Sequence, residues 1–209
     1  MIVVDIETSG QYPEKHGIWQ IGALDFYNHN NLFFGECRID DEDEIQEGAV
    51  KVHGKDEAYL RNKNKRSQRL LLRDFCLWCE SVRMKNALCQ NPRFDAGFIE
   101  FKIRKYNLKI PYHHGGIDPD SPWHYRAFDL HSIVQSKYHR IFGSYLIMDN
   151  HSDMGLTNII NFCGLPIIRG NHNALEDAKL TAECFSRIEF GKNLISEYSE
   201  YPIPQELRI

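Results

Sequence analysis

Asp5 and Glu7 stand two residues apart in the run Ile2-Val3-Val4-Asp5-Ile6-Glu7-Thr8-Ser9-Gly10. The mostly β-branched or acidic residues read as a strand, closed by Thr-Ser-Gly. On a strand, Val3, Asp5 and Glu7 share one face while Ile2, Val4 and Ile6 share the other. Both faces are largely apolar, the mark of a central strand buried on two sides. Unpaired charge is costly in such a place, so the two carboxylates need a cation.

Two later segments supply further acids. In Asn91-Pro92-Arg93-Phe94-Asp95 the first and last residues are four apart and lie on one helical face. Asp95 then falls in the first turn of a helix that follows a buried strand, at the carboxyl end where open α/β sheets place ligands. In His172-Asn173-Ala174-Leu175-Glu176-Asp177-Ala178, five helical residues separate His172 and Asp177 by about 140°. The two can converge only if His172 sits on the loop before the helix. Ala174 and Ala178, one turn apart, would let that helix approach the sheet closely. Four carboxylates in one dry pocket require cations, because like charges otherwise force protonation. Oxygen-only ligation points to Mg²⁺ or Mn²⁺. Two such ions about 3.5–4 Å apart suit phosphodiester hydrolysis, and His172 suits the role of general base for the attacking water.

Stepping outward, the elements that must hold these groups follow from periodicity and punctuation. Ile18–Leu24 and Leu32–Ile39 read as strands two and three, with Asn28–Asn31 as the turn between them. Asp40–Glu44 reads as a solvated acidic loop or helix start, and Ala49–Gly54 as a short apolar element. The basic stretch Arg61–Arg73 is either a solvated helix start or a phosphate-attracting patch, and it leads into a helix over Leu70–Val82. Asn86–Gln90 is a short buried strand. Asn91 as N-cap and Pro92 at the first position start a helix to about Tyr106. Residues 107–125 read as a long loop, Ala127–Leu130 leads into a helix, and Gly143–Asp153 carries no assignable pattern. Helices over Leu156–Phe162 and Ala174 to about Phe190 precede a polar tail. Strands followed by alternating helices and strands predict an α/β domain with a mixed sheet.

Composition excludes little. The chain has 209 residues, a net charge of −4, 42% hydrophobic and 26% charged content, as expected of one globular domain. No apolar run reaches a membrane-spanning length, and no secretory signal pattern is expected at the start. The six cysteines, including Cys76-x-x-Cys79, read as core residues in a reducing, cytoplasmic setting. The pair His113-His114 reads as solvent-exposed rather than metal-binding. Phe94 and Trp19 could stack on bases, with core packing an equal reading for Trp19.

With its three motifs in order, the sequence resembles the DEDDh 3′–5′ exonucleases, the DnaQ-like family on a ribonuclease H-like fold. Asp5-Ile6-Glu7 matches the family's D-x-E motif, Asn91 to Asp95 its N-x-x-F-D motif, and His172 to Ala178 its H-x-A-x-x-D-A motif. Trp19-Gln20-Ile21-Gly22-Ala23 is similar to the family's second strand and Val52-His53-Gly54 to its V-H-G turn. The resemblance implies a three-layer fold, a five-stranded mixed sheet with helices on both faces, over residues 1–190. The 107–125 loop would be an insertion and 191–209 a tail packed on or extending from the domain. It implies that Asp5, Glu7 and Asp177 hold one Mg²⁺ or Mn²⁺, that Asp5 also touches a second, and that Asp95 acts partly through water. His172 would be the base, and Thr8, Phe94 and Asn91 would hold the terminal nucleotide. The expected partner is the 3′ end of single-stranded DNA or RNA, in a homodimer or beside a polymerase-type protein. The rivals are a non-catalytic binding module on the same fold and an endonuclease.

Overall fold

Strand β1 (Ile2–Thr8) lies at the centre of a five-stranded sheet with β2 (Ile18–Asp25), β3 (Asn28–Glu36), β4 (Asn86–Cys89) and β5 (His124–Asp129). The order is β3-β2-β1-β4-β5, with the first three strands antiparallel and β4 and β5 parallel to β1. The computed structural model describes residues 1–110, 121–166 and 173–208.

The helices are α1 (Glu47–His53), α2 (Glu57–Leu60), α3 (Gln68–Ser81), α4 (Pro92–Lys105), α5 (Leu130–Phe142), α6 (Leu156–Phe162) and α7 (Ala174–Phe190). They cover both faces of the sheet. Ile2, Val4 and Ile6 enter the core shared with α3 and α4, whereas Val3 enters the core shared with α5, α6 and α7. The face division read from the alternation in β1 therefore holds, and it sends Asp5 and Glu7 toward α7. The polar tail packs onto the same side: Ile195, Tyr198 and Leu207 are buried in the α7 core. Arg187, fully buried, donates from Nε to Glu183, from one terminal nitrogen to the Cys163 carbonyl, and from the other to the carbonyls of Tyr198 and Tyr201. Glu183 accepts in turn from the backbone amides of Leu194 and Ile195. A buried ion pair whose remaining donors and acceptors are filled in this way closes the tail over α7.

Several boundaries differ from the sequence reading. The β2–β3 turn falls at Phe26-Tyr27, where the Asp25 carboxylate accepts from the Tyr27 amide at 3.1 Å, so Asn28–Asn31 lie within β3. β3 ends at Glu36 because Arg38 and Ile39 bond instead to the carbonyls of Arg66 and Leu60. Helix α3 begins two residues earlier than expected, behind Ser67, whose hydroxyl accepts from the Leu70 amide. β5 was hidden because its central residues are exposed at the sheet edge and show no alternation; it takes the last two residues of the expected 107–125 loop. Residues 111–120, with His113 and His114, lie outside the described residues. In the unassigned Gly143–Asp153 stretch, β6 (Ile147–Met148) and β7 (His151–Ser152) form a small hairpin. Its turn residues Asp149 and Asn150 have φ of 49° and 63°, a left-handed conformation that Asp and Asn tolerate.

The acidic run is not solvated along its length. Asp43 is buried and accepts from Lys102 of α4 at 2.9 Å and from Gln68 of α3 at 2.5 Å. Burial pushes the Asp43 pKa up, but the Lys102 contact and the backbone and Gln68 hydrogen bonds outweigh it and hold the carboxyl low. Asp40 meets Lys105 and Tyr106. Part of the basic stretch meets the same segment, with Arg61 donating to the carbonyls of Asp40, Asp41 and Asp43 and Lys63 pairing with Asp41, while Lys65 pairs with Glu36 and Arg69 is exposed. Arg66 and Arg73 pair with Asp74. All six cysteines are free and buried, Cys76 and Cys79 within α3, as the core reading expected. Among the described residues no helix is long and apolar enough to cross a membrane.

Candidate active site

The site forms where β1 runs out between the N-termini of α4 and α7. Asp5, Glu7 and Asp177 each offer a carboxylate oxygen within 4.8 Å of the others. Glu7 and Asp177 are buried, with 7% and 4% of their surfaces exposed, and Asp5 is half-buried. Three carboxylates so placed form a hard, oxygen-only set that suits Mg²⁺ or Mn²⁺.

Asp177 comes into range because α7 is held tightly at its first turn. Asn173 caps the helix, its side-chain oxygen accepting from the amides of Leu175 and Glu176. Gln20 of β2 adds a further acceptor: its Oε1 takes the Ala174 amide at 2.7 Å. Beneath this turn lies Gly22, which pairs with Asp5 across the β1–β2 ladder. A Cβ on Gly22 would stand 2.1 Å from the Leu175 nitrogen and 2.2 Å from the Ala174 carbonyl carbon. The close approach expected from Ala174 and Ala178 is thus real, and its other half is a glycine.

Asp95 lies in the first turn of α4 and outside the three-carboxylate cluster. Its Oδ1 accepts from the Ile6 amide at 3.2 Å. Burial, with the charge of Asp177 as a smaller contribution, pushes its pKa up to about 7 against the hydrogen bonds that favour the ionised form. Burial, more than the neighbouring Asp177 charge, therefore holds the Asp95 carboxyl toward its protonated form, and a cation beside it would offset that cost.

A cavity of about 440 Å³ opens over the cluster, walled on the far side by α1 residues including Ala49 and Val52. Thr8, Phe94 and Asn91 line it. The Thr8 hydroxyl donates to the Gly10 carbonyl at 2.7 Å. Phe94 is half-buried against Phe98, with ring centroids 4.9 Å apart. Asn91 stands at the N-cap position of α4, yet its side chain makes no capping hydrogen bond. Trp19 is fully buried between His53 and Tyr59, so it is a core residue and not a base-stacking surface. His172 lies outside the described residues.

Sequence reasoning passed over three supports. Gln20 and Gly22 stood inside a quoted motif without a role. Ser9, fully buried, donates to the Glu44 carbonyl at 2.7 Å and accepts from the Gly17 amide at 2.9 Å. Its own carbonyl takes the Gln46 amide, which stitches the end of β1 to the residue before α1. The Val52-His53-Gly54 segment is the end of that helix, with Gly54 at φ 69° donating to the Val50 carbonyl. The legible signal for Ser9 was only a small polar residue in an otherwise functional turn.

The sheet order, the two helical layers and the acidic cluster at the end of β1 define a ribonuclease H-like nuclease fold. Residues 2–185 match the model of the ribonuclease T type of exonuclease, and the chain belongs to that exonuclease family, whose DnaQ-like, DEDDh branch carries the motifs found here. The DNA polymerase III subunit epsilon of Haemophilus influenzae is 31% identical over 120 residues, 52% of this chain and 43% of that protein. The chain spans less than half the length of the curated polymerase relatives it matches. Among solved structures, E. coli Exonuclease I in complex with a dT13 oligonucleotide superposes with a TM-score of 0.68 at 19% identity, covering 90% of this chain and 40% of that one. The nuclease domain of 3′hExo, a DEDDh family member bound to rAMP, gives 0.61 at 15% identity, covering 98% and 95%. These likenesses establish the fold.

Proposed function

We propose that this chain is a metal-dependent 3′–5′ exonuclease that hydrolyses single-stranded DNA or RNA from its 3′ end and releases nucleoside 5′-monophosphates. The observation that carries the reading is the convergence of Asp5, Glu7 and Asp177 within 4.8 Å beneath an open cavity. These three would hold two Mg²⁺ or Mn²⁺ ions, with Asp95 beside them. Such ions, when bound, supply the positive charge that makes water nucleophilic at neutral pH and offsets charge gathering on the phosphate. His172 takes the proton from the attacking water. Phe94 offers a ring face to the terminal base, while Thr8 and Asn91 line the wall where its sugar and phosphate would lie.

The unit responsible is residues 1–190, with 191–209 as a packed tail. The polymerase-subunit name of the Haemophilus relative supports a polymerase-type partner, with a second copy of the chain as the other setting. Buried free cysteines support a reducing, cytoplasmic compartment. The test is digestion of matched DNA and RNA single strands labelled internally, with Mn²⁺ present and the 3′ end free or blocked. Stepwise release of monophosphates from free ends, lost in Asp5→Ala, is the expected result. No release, equal release by Asp5→Ala, or internal cuts indifferent to a blocked end would overturn the assignment, the first pointing to a binding module and the last to an endonuclease.

A further inference from the structure

The Gln20 side chain could face α7 with either end of its amide, and only the oxygen can accept from the Ala174 nitrogen. What selects the orientation is Glu36, at the end of β3 and opposite Gln20 in the ladder. Glu36 Oε1 accepts from Gln20 Nε2 at 2.9 Å, so the amide nitrogen is claimed and the oxygen is turned to Ala174. A carboxylate accepts only, and it cannot tolerate the flipped amide.

Glu36 is itself fixed from the other side. Its Oε2 accepts from the Tyr59 hydroxyl at 2.8 Å and lies 3.5 Å from the Lys65 ammonium. That ammonium sits 3.1 Å from the centre of the Tyr59 ring. Burial pushes the Glu36 pKa up, but the hydrogen bonds from Tyr59 and Gln20 and the Lys65 charge bring the net shift down, keeping the group ionised. Gln20 is only 3% exposed, so a lost partner cannot be replaced freely by water.

We propose that Glu36 is a positioning residue of the carboxylate site: by orienting Gln20 it anchors the first turn of α7, and so sets how tightly Asp5, Glu7 and Asp177 hold a divalent cation. The inference rests on the nuclease reading of that cluster but is tested by binding alone. Glu36 touches neither substrate nor cation. Its influence passes through one buried amide to the helix turn that carries Asp177.

The measurement is Mn²⁺ affinity of the full chain by electron paramagnetic resonance, with thermal melting in chelator as the check on folding. Glu36→Ala is expected to weaken Mn²⁺ binding about three- to tenfold, the worth of one hydrogen bond. Glu36→Gln, whose Oε1 can still accept from Gln20, should recover most of it. Tyr59→Phe frees the other carboxylate oxygen without opening a void and should weaken binding about two- to threefold; it carries the test if Glu36→Ala does not fold. Parental affinity in whichever of these two variants folds overturns the inference and leaves the nuclease reading intact. Equal loss in Glu36→Gln and Glu36→Ala also overturns it, since charge rather than amide orientation would then be responsible. A parent chain that binds no Mn²⁺ overturns both readings.

Discussion

The Asp95 carboxylate accepts a hydrogen bond from the backbone amide of Ile6, the residue that separates the two acids of β1. One side chain on α4 is thereby locked to the strand carrying Asp5 and Glu7, at the cost of burying a fourth carboxylate beside Asp177. The expected consequence is a pH dependence of the metal-free protein. In the unfolded chain Asp95 titrates near the ordinary carboxylate value of about 3.9, whereas in the native fold burial raises it to about 7. Between those values the native state keeps a proton that the unfolded chain has released. Raising the pH through that window therefore works against the native state, by on the order of a few kcal/mol. Melting temperatures in chelator should fall from pH 4 to pH 7 more steeply for the parent than for Asp95→Asn, and saturating Mn²⁺ should flatten the slope. Parallel slopes for parent and variant would remove Asp95 as the cause.

Gly22 sets a second prediction. A methyl group there meets backbone atoms of Ala174 and Leu175 at 2.1–2.2 Å, and backbone cannot rotate away. Helix α7 must then lift off β2 and carry Asp177 with it. Gly22→Ala should destabilise the protein by about 1–3 kcal/mol. Nuclease turnover should fall roughly 10- to 100-fold, because small misplacements of reacting groups are costly. Gly97 in α4 is the control: nothing lies within 4 Å of its would-be Cβ, and Gly97→Ala should stabilise by about 0.4–1 kcal/mol. Chemical denaturation and the digestion assay on both variants decide it.

The buried pair of Lys102 and Asp43 should be structural. Both side chains are nearly solvent-free, at 1% and 3% exposure, and they tie α4 to the segment between β3 and α1. Lys102→Met leaves the Asp43 carboxylate with its Gln68 and backbone donors and the more distant, partly exposed Lys105 ammonium at 3.5 Å. Breaking a buried pair from one side costs about 3–5 kcal/mol at most when a second cation remains nearby. Turnover per folded molecule should stay near the parental value, since neither residue lines the cavity. A variant that keeps its stability but loses activity would contradict this division.

How much of this was written legibly in the chain depended on the range of the interaction. Alternation in Ile2–Thr8 disclosed both faces of β1, because a strand buried on two sides leaves its pattern in consecutive residues. The bounds of α6 and α7 were readable for the same reason: Gly164 and Gly191 stop them locally, at φ 75° and 60°. Long-range pairing left no such trace. Asp43 looked like part of a solvated acidic run, and only the fold brings Lys102, 59 positions away, against it. The strand β5 was missed because an edge strand need not alternate. Gln20 and Glu36 carried no assigned role in the sequence, since their meaning lies in a helix cap 154 positions from Gln20. The carboxylates of the site were found because their types are rare in buried elements. The groups that orient them were not, because amides and glycines are common everywhere.

Asp5 and Asp95 should differ in what their loss does. Asp5 supplies one of three clustered oxygens at the centre of the sheet, pointing to the side from which Asp177 arrives. Asp95 stands outside that cluster, is already engaged by the Ile6 amide, and is held toward its protonated form by burial. Replacing Asp5 with asparagine removes charge where cation binding needs it, and turnover should fall roughly 10³-fold or more, as for other groups that stabilise transition-state charge. Asp95→Asn preserves the shape of α4 and relieves repulsion with Asp177, so its loss should be about tenfold smaller. Mn²⁺ affinity should follow the same order, with Asp5→Asn the weaker binder. Single-turnover rates at saturating Mn²⁺, measured alongside binding isotherms, separate the two effects. Comparable losses in both variants would mean that Asp95 belongs among the direct cation ligands and that the hydrogen bond to Ile6 gives way when the site is loaded.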